Sequence, residues 1–227
     1  MSPFSSQSIS ASGLSLTHSS SASISPAPST SSNRPRPSSS SDRKAWVDPA
    51  SLPDQGDISS VSGNAPEYVK QLNYNTYFSY GVGAEDSFGY QVGREVKFVD
   101  VSIDRKLERQ GRLEATTIAE VTVNKHMLNG AGMLHGGCVA YLIDNCCSTP
   151  LVVLGLVQNV NGVGVTQAMN VLFHSPAPLG SILSIISTSV SLGGRVMTSR
   201  CEILDKISGR VVASAFLNKM QPNMSKL

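Results

Sequence analysis

A glycine-rich stretch near the middle of the chain has the residue types of an oxyanion site at the start of a helix. It runs Asn129-Gly130-Ala131-Gly132-Met133-Leu134-His135-Gly136-Gly137, and an apolar segment of helical length follows it. The first N–H groups of a helix have no partner within the helix and lie at the positive end of its dipole. Because Gly136 and Gly137 carry no side chains, these groups are open to a developing oxyanion. Taken alone, the glycines are better explained by close packing of the helix on a sheet.

A carboxylate inside the apolar segment adds a second chemical group. Asp144 lies between Ile143 and Asn145 in a helix that we expect to be buried. An ionised carboxylate in such surroundings is costly unless it is paired or used in a reaction. A local network with Asn145 or Ser148 is the structural explanation. A general base or nucleophile is the functional one, and it fits a carboxylate beside an anion site better.

The spacing of these two groups predicts a homodimer. Gly136 and Asp144 are eight residues apart, which corresponds to about 12 Å of rise along one helix at ~1.5 Å per residue. One reacting carbonyl therefore cannot contact both groups of the same chain. If both act, they come from two copies whose helices pack antiparallel, and the active sites are shared between the copies.

The segments around the helix predict an α+β body in which one long helix lies against an antiparallel sheet of five or six strands. The helix is expected over 138–154, buried on nearly every side and kinked at Pro150. Short turns such as Pro178-Leu179-Gly180 and Gly193-Gly194 predict an antiparallel meander for the strands after the helix. The strand-like runs are a hairpin at 96–103 and 113–123, followed by 164–174, 182–191, 196–204 and 211–220.

Composition divides the chain into three segments, of which the first is a tail over 1–60. About half of its residues are Ser or Pro, so it cannot bury enough apolar surface to fold and we expect it to be disordered. A helical extension over 61–93 follows, with a short helix at 66–80 that is ended by Gly81 and Gly83. The main domain covers 94–222.

The tail has an alternative interpretation as a mitochondrial targeting segment. No acidic residue precedes Asp42, and basic residues such as Arg34 and Arg36 are present. Against this, the first 33 residues contain no Lys or Arg. The expected compartment is therefore the cytoplasm or the mitochondrion.

Composition also excludes several functions. The net charge is only +2 in 227 residues, and no block of basic residues predicts a nucleic-acid partner. The longest apolar stretch, 151–157, is far shorter than the ~18–20 residues of a membrane span. The four cysteines have no Cys-x-x-Cys spacing, and the histidines have no metal-ligand spacing. We therefore expect neither a disulfide framework, nor a metal, nor a cofactor.

Together, these residues resemble the hotdog-fold acyl-CoA thioesterases, most closely the PaaI-like branch. The resemblance covers roughly 97–220 and rests on Asn129, His135-Gly136-Gly137, Asp144, Met169-Asn170 and Ser175-Pro176-Ala177. It implies a sheet wrapped around a central helix and a homodimer, often paired into a homotetramer. It also implies a hydrolase of lipid metabolism that converts acyl-CoA and water into free acid and coenzyme A without a cofactor.

The resemblance further implies roles for individual residues. Asn129 and the backbone N–H of Gly136 polarise the thioester carbonyl, and Asp144 of the partner subunit activates water or attacks directly. Thr166 stands where the family has a serine and keeps a hydroxyl that can orient water or Asp144. His135 is expected to be a structural residue of the turn rather than the base. The residues expected to contact substrate or coenzyme A are His135, Gly137, Phe173, His174, Ser175, Pro176, Gly194 and Arg195.

Two alternatives remain at this point. A hotdog hydratase or dehydratase would use the same fold, although its His-Phe-Pro-Gly motif is absent. A non-catalytic acyl-CoA-binding or scaffold protein would keep the fold and the groove without turnover.

Overall fold

A computed structural model describes residues 48–221, which form one six-stranded antiparallel sheet and four α-helices. The α+β class, the six strands and the central helix are confirmed. Of the predicted tail over 1–60, residues 1–47 lie outside the described residues. The strands are β1 (Lys97–Lys106), β2 (Arg112–Thr122), β3 (Val165–Phe173), β4 (Ile182–Leu192), β5 (Val196–Asp205) and β6 (Val211–Met220). The helices are α1 (Glu67–Thr76), α2 (Tyr90–Gly93), α3 (Gly136–Cys146) and α4 (Thr149–Gln158).

The strand order is β1-β2-β4-β5-β6-β3, and it corrects one part of the predicted topology. The hairpin of β1 with β2 and the meander of β4, β5 and β6 are as predicted. However, β3 pairs with β6 and not with β4. The connection after β3 is not a hairpin turn, because Gly180 N–H donates to the Val123 carbonyl and Val123 N–H donates to that of Ser181. These bonds start β4 beside β2 and leave β3 at the edge of the sheet.

The central helix is divided into α3 and α4 at Cys147 and Ser148, two residues before the predicted kink at Pro150. Proline has no N–H to donate to the carbonyl four residues earlier, which is that of Cys146. The hydroxyl of Thr149 donates to this carbonyl instead, at 2.7 Å. The break therefore leaves no unpaired carbonyl at Cys146.

Burial differs between the two helical segments. Residues 149–155 of α4 are buried without exception, as predicted for the whole helix. The prediction is wrong for α3, which buries only the face formed by Val139, Leu142, Ile143 and Cys146. Gly136–Gln158 as a whole is long and apolar enough to cross a membrane by length and composition, but 67% of its apolar window is buried inside the domain. Such burial is typical of a core helix.

The N-terminal extension begins earlier than composition indicates. Gln55 N–H donates to Asn75 Oδ1 at 2.8 Å, and Asn75 Nδ2 donates to Asp54 Oδ1 at 3.0 Å, so residues 54 and 55 are bonded to α1. The predicted tail boundary at residue 60 is therefore too late. The predicted helix is present, but it continues through Gly81 as a π-helical turn, Tyr77–Val82, and ends at Gly83 with φ 72°.

Close backbone packing sets the start of β3 against α4. A Cβ on Gly162 would collide with the carbonyl oxygen of Leu151, and one on Gly155 would lie 2.6 Å from Gly162 N. Gly162→Ala is therefore expected to lower the free energy of unfolding by about 1–3 kcal/mol, because backbone atoms cannot move aside as a side-chain end can. Denaturant unfolding measures this difference.

Gly194→Ala is the matched control, because a Cβ at Gly194 meets no atom within 4 Å. We expect its unfolding midpoint to equal that of the unmodified protein. Equal midpoints for Gly162→Ala and Gly194→Ala would contradict the close packing.

Candidate functional site

The structure brings Asp144 and Thr166 together. Thr166 is on the edge strand β3, and its Oγ1 donates to Asp144 Oδ1 at 2.6 Å. Asp144 is half-buried in the single chain, so the expected full burial of this carboxylate is wrong. Its other oxygen, Oδ2, has no hydrogen-bond partner within residues 48–221. One carboxylate oxygen is thus fixed while the other is free to accept a proton.

The local network that could have explained Asp144 involves its main chain and not its carboxylate. Ser148 Oγ donates to the Asp144 carbonyl at 2.5 Å, while Asn145 Nδ2 donates to the Tyr141 carbonyl at 3.0 Å. Neither side chain binds the carboxylate. The structural explanation offered by the sequence therefore does not account for the acid.

A second contact between sheet and helix lies one helical turn further on. Lys219 of β6 is the register partner of Thr166, and its Nζ donates to Ser148 Oγ at 2.8 Å. Burial lowers the pKa of Lys219, and the negative charge of Asp144 partly opposes that shift. A single cross-strand pair therefore contacts two helix positions, Asp144 and Ser148.

Two cavities meet at Asp144. The smaller, of about 300 Å³, extends along the helix past Ser148 and Val152. The larger, of about 440 Å³, extends toward Gly137 and the N-terminal end of α3. Both are walled by Tyr80 and Gly81 of the π-helical turn. A still larger cavity of about 900 Å³ lies between β2, β4 and the end of α4. None of the predicted site residues lines it, although Gly193, which precedes the predicted residue Gly194, does.

The π-helical turn is attached to α3 by a half-buried tyrosine. Tyr141 Oη donates to the Gly81 carbonyl at 2.6 Å, and desolvation raises the pKa of Tyr141 to about 12. Phe88 also packs edge-on against the Tyr141 ring, at 5.9 Å between centroids. The N-terminal extension thereby forms a fixed wall of both cavities.

The helix start has the arrangement that the sequence predicts. His135 is the N-cap, and its Nδ1 accepts the N–H of Gly137 at 2.8 Å. The N–H of Gly136 has no hydrogen-bond partner in the described part of the chain. A Cβ on Gly136 would lie 3.5 Å from the ring of Phe173, which is 61% exposed. An open N–H donor therefore lies beside an exposed aromatic ring at the end of β3.

Asn129 stabilises the loop that precedes the helix. Its Oδ1 accepts the N–H groups of Ala131 and Met133, at 2.9 and 3.2 Å. These bonds use the oxygen of the carboxamide and leave Nδ2 without a partner among residues 48–221. Asn129 can therefore donate a hydrogen bond from its NH₂ group to the carbonyl of a bound substrate.

The segments predicted to bind coenzyme A lie at opposite ends of the sheet in one chain. Phe173, His174, Ser175 and Pro176 are at the end of β3 that pairs with Ala213. Gly194 and Arg195 precede Val196, which pairs with Met220 at the other end. The two ends are about 30 Å apart for nine residues at ~3.3 Å each. His174 Nε2 is bonded to Ser214 Oγ at 2.8 Å, whereas Arg195 is exposed.

Sequence reasoning missed Lys219 and the wall formed by Tyr77–Val82. A signal for Lys219 exists, because Ala213, Ala215 and Leu217 form the buried row of β6 and Lys219 continues it with period two. A charged residue in such a row is unusual. No comparable pattern in the sequence predicts that the π-helical turn, Tyr77–Val82, lies beside Asp144.

Within the described part of the chain, the cysteines and the possible metal ligands are not assembled into a site. The four cysteines are free, and burial raises the pKa of Cys146 well above its usual range. No group of three or more His, Cys, Asp or Glu residues in 48–221 could hold a metal ion.

Among the strands of residues 48–221, the edge strand β3 is hydrogen-bonded on one side only. Most of its residues are exposed, including Val165 at 42% and Leu172 at 58%. Its pairing with β6 leaves the N–H and C=O groups of the other side available to a further strand. Thr166 and Phe173 lie at its two ends, beside Asp144 and Gly136 respectively.

Comparison with known proteins finds similarity to thioesterases over part of the chain. Residues 131–212 match the model of the Thioesterase superfamily. Human acyl-coenzyme A thioesterase 13 is 30% identical over 96 residues, 42% of this chain and 66% of that protein. The mouse protein of the same name is 27% identical over 122 residues, 52% of this chain and 84% of that protein.

Two solved structures share the fold. Zebrafish thioesterase superfamily member 2 has a TM-score of 0.54 at 17% identity, with 68% of this chain and 98% of that chain covered. The E. coli PaaI protein has a TM-score of 0.50 at 18% identity, with 70% and 97% covered. At less than 25% identity these likenesses show the fold of this chain alone, which is the hotdog fold.

Proposed function

We propose that the protein hydrolyses acyl-CoA thioesters to free acid and coenzyme A, at a site shared by two copies of the chain. The observation that carries the proposal is the Asp144 carboxylate, with one oxygen held by Thr166 and the other unbonded by any of residues 48–221. The open N–H of Gly136 supplies the complementary donor. Relatives named acyl-coenzyme A thioesterase support the same substrate class.

A second copy is needed because the acid and the donor of one chain lie at opposite ends of β3. Antiparallel pairing of β3 with its counterpart would be isologous and would extend the sheet across both copies. It would place the Thr166 end of one copy against the Phe173 end of the other. Asp144 of the partner subunit would then lie near Gly136, and the separated segments for coenzyme A would also be combined. Pairing of two such dimers into a tetramer stays a prediction.

Hydrolysis at this site uses one base and one oxyanion donor. The thioester carbonyl oxygen accepts from Gly136 N–H and Asn129 Nδ2. Asp144 Oδ2 of the partner subunit removes a proton from water, and the water oxygen attacks the carbonyl carbon. The tetrahedral intermediate then breaks its C–S bond, and the proton held by Asp144 passes to the departing sulfur, which gives free acid and coenzyme A. Thr166 keeps the carboxylate oriented by donating to Oδ1.

A heterodimer of two inactive variants tests the shared site. Gly136→Pro deletes the N–H but suits the first position of a helix, and His135 already has the extended backbone, φ −70° and ψ 134°, that precedes proline. Asp144→Asn keeps the shape of the side chain without the base. We expect each homodimer to lose ~10²–10³-fold in thiol release. The heterodimer, isolated with two different tags, contains one intact site and should recover about half of the unmodified activity.

Gly136→Ala is the matched control, because it keeps the N–H and its Cβ approaches Phe173 no closer than 3.5 Å. It should retain most of the activity. A heterodimer as inactive as both homodimers would refute the shared site, and unmodified turnover by Asp144→Asn would refute the proposed base.

A substitution at His135 separates capping from proton transfer. Asn at this position can accept the Gly137 N–H with its side-chain oxygen, as the imidazole does now. We expect His135→Asn to retain its thermal midpoint and most of its turnover. His135→Leu should lose about 0.5–2 kcal/mol of stability through the missing cap. If His135→Asn loses as much turnover as Asp144→Asn while remaining folded, His135 takes part in the chemistry.

A further inference from the structure

The cavity of about 300 Å³ leads from Asp144 into the domain. Asp144, Ser148 and Val152 line it at intervals of four residues, so it follows successive turns of the central helix. Tyr77 and Tyr80 form the opposite wall. An acyl group whose carbonyl is held near Asp144 can therefore extend past Ser148, which connects this cavity with the proposed function.

Lys219 presents an incompletely paired amine to this cavity. An ammonium group has three N–H donors, and one of them is used by Ser148 Oγ at 2.8 Å. No carboxylate lies within 4.0 Å of Nζ in residues 48–221. The nearest acid along the wall, Asp144, is already bonded to Thr166. A purely aliphatic chain would leave the remaining donors of Lys219 without partners and partly desolvated, which is unfavourable.

The position of the amine relative to the reacting carbon sets which acyl atom it can contact. Ser148 follows Asp144 by four residues, which is about 6 Å along a helix. The Nζ bonded to Ser148 therefore lies roughly one helical turn beyond the base. This reach corresponds to the first few carbons after the thioester carbonyl.

We propose that Lys219 makes the site selective for acyl groups that carry a hydrogen-bond-accepting oxygen close to the thioester, such as 3-hydroxyacyl and 3-oxoacyl groups. The oxygen accepts from Lys219 Nζ, while the rest of the chain packs against Val152, Tyr77 and Tyr80. This inference rests on the proposed function and specifies its substrate class.

The test compares two substrates of equal length, octanoyl-CoA and 3-hydroxyoctanoyl-CoA, by kcat/KM in a thiol-release assay. The unmodified protein should prefer the hydroxylated substrate at least about tenfold, and Lys219→Met should reduce this preference ~10–100-fold, as expected for one hydrogen bond to a charged group. Taking a ratio removes any effect of Lys219 that acts on all substrates alike. Lys70→Met is the matched control, because Lys70 on α1 bonds the Val61 carbonyl and does not line the cavity. Its ratio should not change.

An unmodified protein without the preference overturns the proposal, even if Lys219→Met fails to fold. A folded Lys219→Met with an unchanged ratio overturns it as well. Both outcomes differ from failure of the proposed function, in which no thiol is released from either substrate.

A second inference comes from the sequence alone. Residues 225–227, outside the described part of the chain, are Ser-Lys-Leu, and this tripeptide as a free carboxyl terminus is a peroxisomal address recognised by an import receptor. We propose that these residues, where they form a free carboxyl terminus, direct the protein into peroxisomes. This destination competes with the cytoplasm and the mitochondrion expected from the tail.

Immunodetection of the untagged chain in cells tests this address, because both termini then stay unmodified. We expect the signal to coincide with a peroxisomal marker and to disperse when two glycines are added after Leu227. A mitochondrial signal, an evenly cytoplasmic one, or peroxisomal signal that survives the added glycines would each refute the proposal.

Discussion

The fixed length of a helix is the constraint on which the rest of this structure depends. Gly136 and Asp144 are held about 12 Å apart along α3 by its rise of ~1.5 Å per residue, and no side-chain movement of one chain removes that separation. β3 runs antiparallel to α3 beside it and contacts both positions, through Phe173 at one end and Thr166 at the other. One end of the exposed strand β3 therefore lies beside Gly136 and the other beside Asp144, and this strand can pair with a second copy.

The helix break places polar groups in an otherwise apolar core. Pro150 deprives the Cys146 carbonyl of its N–H partner, and the hydroxyl of Thr149 replaces it. Ser148 likewise bonds the Asp144 carbonyl and accepts from Lys219. A straight helix would have used these carbonyls internally and needed no hydroxyls here. The proline therefore accounts for the bond of Thr149, whereas Ser148 bonds a carbonyl that lies one turn before the break.

Local patterns in the sequence predicted the helices and strands, and they singled out Gly136 and Asp144 as candidate site residues. The alternation in the strands, the glycines before α3 and the isolated Asp144 depend on neighbours a few residues away. The place of β3 at the edge depends instead on hydrogen bonds between Gly180 and Val123, far apart in the chain. The period-two pattern of β6 marks Lys219 as unusual, but its contact with Ser148 joins residues 71 positions apart and could not be predicted locally.

The half-exposure of Asp144 was mispredicted because hydropathy averages over all sides of a helix, whereas burial depends on which strand covers each side. The observed exposure suits the shared site better than full burial would. A carboxylate that remains hydrated in the single chain imposes little desolvation cost on folding. Pairing of two copies and entry of substrate would remove that water only when the reacting carbonyl is present, and electrostatic interactions in a dehydrated site are stronger than in water. An exposed edge of β3 and an accessible acid are thus the two features that the proposed division of one active site between two chains would require.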